Sequence, residues 1–207
     1  MKFIEYEEFK KLIEAESERR DLEFKSPFEW KKRKNIDEIQ GNVIKSIICL
    51  SNLYLGGILI VGIKQKEKKF EKIGLTESQY DTFKDLDQIK GQVDSFVYSS
   101  VFFEIEYTKN DEEKYFVIFR VSTYKDYPSI TKDRLLIGNA HIIDKDIIYA
   151  RSEKAPYSSD KVGYSEIKEI IDNSVDKNIK LLGKRGLIPT TLSDKDLFNK
   201  QKESILL

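Results

Sequence analysis

A run of cations beside an aromatic residue is the first feature of this sequence with chemical meaning. The basic segment (residues 30–34) consists of Trp30, Lys31, Lys32, Arg33 and Lys34, and Lys25 lies shortly before it. A nucleic acid is bound by such a combination, because cations hold its phosphates and a flat ring stacks on a base. The alternative is a solvated basic loop that precedes an ordinary helix.

Three other patterns that carry chemistry are incomplete. His141 is the only histidine, and no Gly-x-Ser-x-Gly segment accompanies it, so a hydrolase triad lacks its nucleophile turn. Cys49 is the only cysteine, which excludes an internal disulfide and a cysteine-rich zinc site. The stretch from Gly57 to Lys64 approaches a phosphate-binding loop, but its lysine comes one place late and its apolar residues suit a buried strand. We therefore predict no ATP site.

The composition is that of a folded chain with a polar surface. Of 207 residues, 40% are hydrophobic and 35% charged, and 36 Lys and Arg balance 36 Asp and Glu. Because there is no bulk positive charge, nucleic-acid binding requires cations sorted onto one face. No apolar run approaches the roughly 20 residues of a membrane span, and no secretory apolar region opens the sequence. These features predict a soluble, cytoplasmic protein.

Hydrophobic spacing predicts the elements that position these residues. Helical spacing indicates helices over 3–15, 35–50 and 79–97, and a further helix that starts at residue 165. Strands are predicted over 21–25, 58–63, 101–108, 114–122 and 146–151, with a lysine-rich turn at 64–69. Gly56 and Gly57 suit a tight turn from helix into buried strand. The predicted fold class is α+β: a mostly antiparallel sheet with two long covering helices and a C-terminal helical extension.

Three passages, in this order, resemble the Schlafen AlbA-like (AlbA_2) family. Residues 16–25 end in Glu23, Phe24 and Lys25; residues 51–63 contain a helix-end Asn52, the glycine turn and a strand closing in Gly62-Ile63. Residues 148–152 resemble the family's late strand, which ends in Tyr-x-Arg at Arg151. The resemblance implies a nucleic-acid-binding domain over residues 1–158, followed by a helical extension or tail over 159–207.

The resemblance also implies a metal site. Nuclease members of the family hold a divalent metal with two glutamates five positions apart, which Glu18 and Glu23 match, and with an aspartate just past the Gly-Val strand. Such oxygens bind Mg²⁺ or Mn²⁺, which activates water. The positions after Gly62-Ile63 hold Lys64 and Gln65 instead of acids. Two interpretations stay open: Glu18, Glu23 and Gln65 form an incomplete catalytic site, or the glutamates pair with Arg19, Arg20 or Lys25.

The leading functional hypothesis is binding of RNA, which we favour, or single-stranded DNA through Lys25, the basic segment and Arg151. Arg151 ends a predicted strand, where it faces either a phosphate or an acid such as Asp146. The alternatives are a metal-dependent endoribonuclease acting on structured RNA such as tRNA, and a regulatory or protein-interaction subunit. Larger Schlafen proteins pair two similar lobes, and this chain holds one, so we expect a homodimer. Part of its interface is expected from Ile167, Ile170, Ile171 and Leu187.

Overall fold

The computed structural model describes residues 2–13, 19–66, 69–151 and 159–187. In these ranges the helices are α1 (Tyr6–Leu12), α2 (Glu38–Ser51), α3 (Glu77–Asp81), α4 (Leu86–Asp94) and α5 (Tyr164–Lys184). The strands are β1 (Lys2–Phe3), β2 (Leu22–Lys25), β3 (Gly57–Val61), β4 (Ile63–Lys66), β5 (Lys69–Lys72), β6 (Phe103–Lys109), β7 (Tyr115–Val121), β8 (Leu135–Ile137), β9 (Ala140–Ile143), β10 (Tyr149–Arg151) and β11 (Ser159–Lys161).

The main sheet has the strand order β1-β6-β7-β3-β2. Its two outer pairs, β1 with β6 and β2 with β3, are parallel, and the two inner pairs are antiparallel. Three further two-stranded sheets (β4–β5, β8–β9 and β10–β11) are all antiparallel. The predicted α+β class with a mostly antiparallel sheet and a C-terminal helix is confirmed. Helix α2 connects the parallel strands β2 and β3, as such pairs require.

Both faces of the sheet are covered. Along β3, Leu59 and Val61 point into the larger apolar cluster beneath α2, whereas Ile60 points into the smaller cluster beneath α1. This alternation explains why the strand is apolar at every position. The turn into β3 requires Gly56, whose backbone has a φ of +75°. The core therefore lies in two layers, and the larger layer carries α2.

The structure differs locally from three expectations. The helix expected over 79–97 is divided into α3 and α4, because the Asp85 carboxylate accepts a hydrogen bond from the Gln88 N–H at 2.9 Å and starts a new helix. Helix α2 begins after Asp37, which caps it through the Gln40 N–H. The stretch expected as a lysine-rich turn forms β4 and β5.

The C-terminal extension is attached to the rest of the domain. Strand β11 pairs with β10, so the boundary predicted at residue 158 falls between two hydrogen-bonded strands. The Tyr124 hydroxyl donates to the Ile170 carbonyl of α5 at 3.0 Å, and Ile170 packs with Tyr124 and Ala150. Over the described ranges, none of the helices has the length and apolar content needed to cross a bilayer.

Candidate nucleic-acid interface

The candidate interface lies where the parallel strands β2 and β3 end. Lys25 and Val61, the last residues of the two strands, are register partners, and the Gly62 N–H donates to the Lys25 carbonyl at 2.9 Å. The hairpin of β4 and β5 follows immediately. The basic segment lies before α2, where Arg33 is paired with Asp133 and its guanidinium lies over the buried ring of Phe96. Lys25 and the hairpin are thus the cationic parts that meet at the carboxyl ends of these strands.

Glu23 lies at the base of this region and is engaged by its neighbours. The side chain is buried, and its Oε1 accepts a hydrogen bond from the Ser46 hydroxyl of α2 at 2.9 Å. The Lys25 ammonium lies 2.5 Å from Oε1, and Nη2 of Arg151 lies 3.4 Å from Oε2. Pairing with Lys25 was one of the two interpretations of the glutamate, and the structure shows this pair. Two cations therefore neutralise the carboxylate.

A polar pocket opens beside this cluster, between β2, α2 and β11. Its volume is about 250 Å³, and it is lined by Glu23, Lys25, Asn42, Lys45, Ser46, Ser159 and Asp160. Lys45 lies over the ring of Tyr149, 4.7 Å from its centroid. The pocket is a mixed site in which ammonium groups, carboxylates and hydroxyls face one another.

Arg151 does not face a phosphate. The side chain is fully buried, with 0% of its surface exposed, and Nη1 donates to the carbonyls of Arg19 and Leu22 at 2.7 and 3.1 Å. The predicted nucleic-acid contact is wrong because a ligand cannot reach the guanidinium. The acid that it faces is Glu23, whereas Asp146 accepts a hydrogen bond from the Tyr98 hydroxyl. Arg151 holds β10 against the amino end of β2.

Trp30 does not offer a stacking face. Its side chain is 3% exposed, its ring lies among Phe28, Phe83 and Phe119, and its indole N–H donates to Gln92 at 2.9 Å. The prediction that it stacks on a base is corrected, because both faces of the ring belong to the core. The tryptophan anchors the basic segment instead of extending its binding surface.

The four cations after Trp30 divide into two kinds. Lys31 is paired with Asp37 at 2.6 Å and Arg33 with Asp133 at 2.7 Å. Burial would raise the pKa of Asp37, but hydrogen bonds from the Gln40 backbone and from Lys31 outweigh it and lower this pKa. Lys32 and Lys34 are exposed, and no described carboxylate lies within ion-pair distance of either.

The hairpin carries cations that sequence analysis did not assign to the site. In the register of β4 and β5, Lys64 is opposite Glu71 and Lys66 is opposite Lys69, so these four side chains share one face. That face is exposed, whereas Ile63 and Phe70 on the other face pack towards the α1 side of the core. The alternation of lysines at 64 and 66 was the available signal, and it was interpreted as a turn.

The described residues do not fit the metal site implied by the resemblance. Glu18 lies outside the described residues. Gln65 is exposed on β4, and Glu23 is already neutralised by Lys25 and Arg151, which compete with a metal ion for its oxygens. Across residues 2–13, 19–66, 69–151 and 159–187, no group of three metal-ligating side chains converges. No catalytic step through a metal follows from this geometry.

The chain also resembles known proteins. No curated protein matches it. Among solved structures, it is similar to the DIP2311 protein from Corynebacterium diphtheriae, with 18% identity and a TM-score of 0.36, over 63% of this chain and 25% of that one. It is likewise similar to the N-terminal domain of a Nitrosomonas europaea protein whose name relates it to the ATP-dependent DNA helicase RecG. That match has 18% identity and a TM-score of 0.42, and covers 64% of this chain and 84% of that domain.

The family to which the chain belongs is shown by a family model, because structural likenesses as weak as these do not show it. The Schlafen AlbA_2 model matches residues 18–157, which is more than half of the chain. The matched range contains β2, the glycine turn, β3 and β10, which are the elements that build the cluster around Glu23. On this match, the chain belongs to the Schlafen AlbA_2 family.

Proposed function

We propose that this domain binds nucleic acid at the carboxyl ends of β2 and β3 and does not cleave it. Family membership relates the domain to nucleic acids. The observation that carries the proposal is the exposed hairpin face, on which Lys64, Lys66 and Lys69 accompany one acid, Glu71. Lys32 and Lys34 add two further cations beside the start of α2. Together they provide the locally sorted charge that a chain with zero net charge needs for phosphate binding.

The proposed ligand is RNA or single-stranded DNA, with RNA as the first to test. The nuclease members of this family act on structured RNA, and we infer that the binding surface of this domain retains that preference. Binding without cleavage is favoured because Glu23, the described member of the implied ligand set, is held by Lys25 and Arg151. An endoribonuclease would need this carboxylate for its metal.

The proposal includes a two-fold homodimer formed through α5. Ile167 and Ile171 are exposed, and Val175 and Ile179 continue the same exposed apolar stripe. Ile170, expected in the interface, is buried against the domain's own Tyr124. A two-fold axis would present the basic surface twice, which lengthens the phosphate contact without new residues.

Binding is tested by fluorescence anisotropy with a labelled single-stranded RNA across a salt series. Replacing Lys32 and Lys34 together by Gln should weaken binding and lower the slope of log K against log salt. The expected reduction is roughly 0.7 for each lost phosphate contact to a single strand. The matched control replaces Lys31 and Arg33 by Gln, because these neighbours are already paired with Asp37 and Asp133.

A second pair, Lys64→Gln with Lys69→Gln, tests the hairpin in the same way. We expect both test pairs to change the slope more than the control pair does. Equal slopes for all variants would show that neither surface contacts phosphate, and no binding at low salt would refute the proposed function. Incubation of the same RNA with Mn²⁺, followed on a denaturing gel, should leave it intact.

A further inference from the structure

We propose that Tyr98, Phe102 and Tyr127 form a base-stacking surface and that the ligand is therefore single-stranded. This inference rests on the proposed nucleic-acid function and adds the part of the ligand that the lysines do not contact. It arises from the burial of Trp30, which leaves the basic segment without an accessible ring. The domain does possess exposed rings, and they lie elsewhere.

The three rings are unusually open for aromatic side chains. Tyr98, Phe102 and Tyr127 are 62%, 44% and 71% exposed. Large aromatic side chains in a folded domain normally bury most of their surface, as Phe83, Phe96 and Phe119 do here. Rings that are exposed to water do not gain the favourable free energy of burial. A ligand that stacks on them covers their surface and gains this free energy.

Backbone hydrogen bonds bring the segments that carry these rings together. The Tyr98 N–H donates to the Ile130 carbonyl at 3.0 Å, and the Ser122 N–H donates to the Phe102 carbonyl at 2.8 Å. The segment 97–102, before β6, therefore runs beside the segment 122–130, after β7, which contains Tyr127. The Tyr98 hydroxyl is also fixed by its hydrogen bond to Asp146 at 2.9 Å, which limits the motion of the ring.

Cations lie in the segments that carry these rings. The Lys125 ammonium is 4.4 Å from the centroid of Phe102, and the Arg33 guanidinium is 5.0 Å from the centroid of Phe96. The Lys132 N–H donates to the Phe96 carbonyl at 2.8 Å, and the Lys132 side chain is exposed. Lys125 and Lys132 thus accompany the segments that carry the exposed rings, and cations beside exposed rings are typical of surfaces that hold the backbone and the bases of one strand.

The exposed rings favour a single-stranded ligand over a duplex. In a duplex, each base face is covered by its neighbours, so an exposed ring has nothing on which to stack. An unpaired strand presents its base faces, and base–aromatic stacking tolerates any sequence because every base has such a face. The geometry therefore points to unpaired RNA or DNA of little sequence preference.

The test compares two twelve-nucleotide probes of equal phosphate number. One is oligo(dT), and the other has the same backbone with abasic sites at every position. We expect the wild-type protein to bind oligo(dT) at least about tenfold more tightly than the abasic strand, since stacking contributes about this factor per base. Equal binding of both probes would overturn the stacking inference and leave the phosphate-binding proposal standing. Failure to bind either probe at low salt, together with failure to bind the labelled single-stranded RNA, would refute the proposed function itself.

Substitutions of the exposed rings test whether the bases stack on this surface. Tyr98→Leu with Phe102→Leu should reduce the preference for oligo(dT) while leaving the affinity for the abasic strand unchanged. Tyr127→Leu, at the most exposed of the three positions, should reduce the preference without disturbing the fold, which circular dichroism checks. The control is Tyr164→Leu on α5, where the ring is also exposed. A preference that survives all three surface substitutions, or that Tyr164→Leu removes, would overturn the assignment to this surface.

Discussion

The guanidinium of Arg151 and the carboxylate of Glu23 meet inside the domain, with Nη2 3.4 Å from Oε2 and almost no surface of either side chain exposed. Arg151 belongs to β10 and Glu23 to β2, at opposite ends of the matched family range. Since Arg151 also donates to the carbonyls of Arg19 and Leu22, it ties the late strand to the amino end of β2. We interpret the pair as structural.

Removal of the guanidinium should therefore destabilise the protein. Arg151→Leu leaves Glu23 buried with only Lys25 as its cation and removes the side-chain hydrogen bonds to the carbonyls of Arg19 and Leu22. We expect the free energy of unfolding in urea to fall by roughly 3–5 kcal/mol, the usual cost of breaking a buried ion pair. Adding Glu23→Gln to this variant should recover part of the loss. The exposed Lys32→Gln serves as the control, and a loss below about 1 kcal/mol for Arg151→Leu would contradict a structural role.

Restoring an acid beside Glu23 should not create a nuclease. Gln65→Asp supplies the carboxylate that the metal site of the family's nucleases would have. The Glu23 carboxylate nevertheless remains paired with Lys25 and Arg151. We expect no cleavage of tRNA in Mg²⁺ or Mn²⁺ and no heat of Mn²⁺ binding by calorimetry, for the wild type or for Gln65→Asp. Wild-type cleavage that Glu23→Gln abolishes, with stability unchanged, would show that the carboxylate is catalytic.

Glu106 should make the fold sensitive to acid. Burial raises the pKa of this carboxyl, but hydrogen bonds from Lys2 and Arg120 outweigh it, so the pKa lies below its usual value of 4.5. A lowered folded-state pKa contributes stability that is present above about pH 4.5 and is lost as the pH falls through the folded value.

Urea unfolding at a series of pH values from neutral to about pH 3 measures this effect. Glu106→Gln should be less stable than the wild type at neutral pH, because it leaves Lys2 without its carboxylate and Arg120 with only Glu8. Its stability should also depend less on pH in the acid range. Glu8→Gln is the control, since Glu8 is exposed and 3.7 Å from Arg120. If the free energy of unfolding of Glu106→Gln fell with pH as steeply as that of the wild type, other carboxyl groups would be responsible for the acid sensitivity.

The apolar stripe on α5 should control the oligomeric state. We expect light scattering at micromolar concentration to give the mass of two chains, and Ile171→Lys to give the mass of one, because a charge would then be buried in the interface. Lys180→Glu, on the same helix outside the stripe, is the control. A wild-type mass of one chain, with and without RNA, would contradict the dimer.

Residue spacing predicted well those elements whose structure depends on residues close together in the sequence. The apolar period of α2, the alternation in β2 and the glycine turn before β3 each depend on neighbours within a few residues, and all three are confirmed. The division of the helix over 79–97 was missed, because the capping role of Asp85 competes with an apolar period that continues across it.

The candidate site was harder to predict because its side chains are determined by distant partners. Trp30 before four cations has the same sequence whether it stacks on a base or packs on Phe83 and Phe119. The acid that faces Arg151 is more than a hundred residues away, and a nearer one, Asp146, was the natural candidate. The exposed rings at 98, 102 and 127 have no spacing that marks them, since hydrogen bonds between the segments before β6 and after β7 bring their backbones together.

Strand β1 pairs with a strand that comes much later in the chain. Strand β1 pairs in parallel with β6, where Lys2 is opposite Glu106 and Phe3 is opposite Tyr107. During synthesis the ribosome must therefore produce more than a hundred residues before β1 has a partner, and closing so long a loop makes this pairing slow. The β6–β7 hairpin needs only a short turn and precedes it. Strand β1, which precedes the other described strands in the chain, is therefore expected to join the sheet after the β6–β7 hairpin that it flanks.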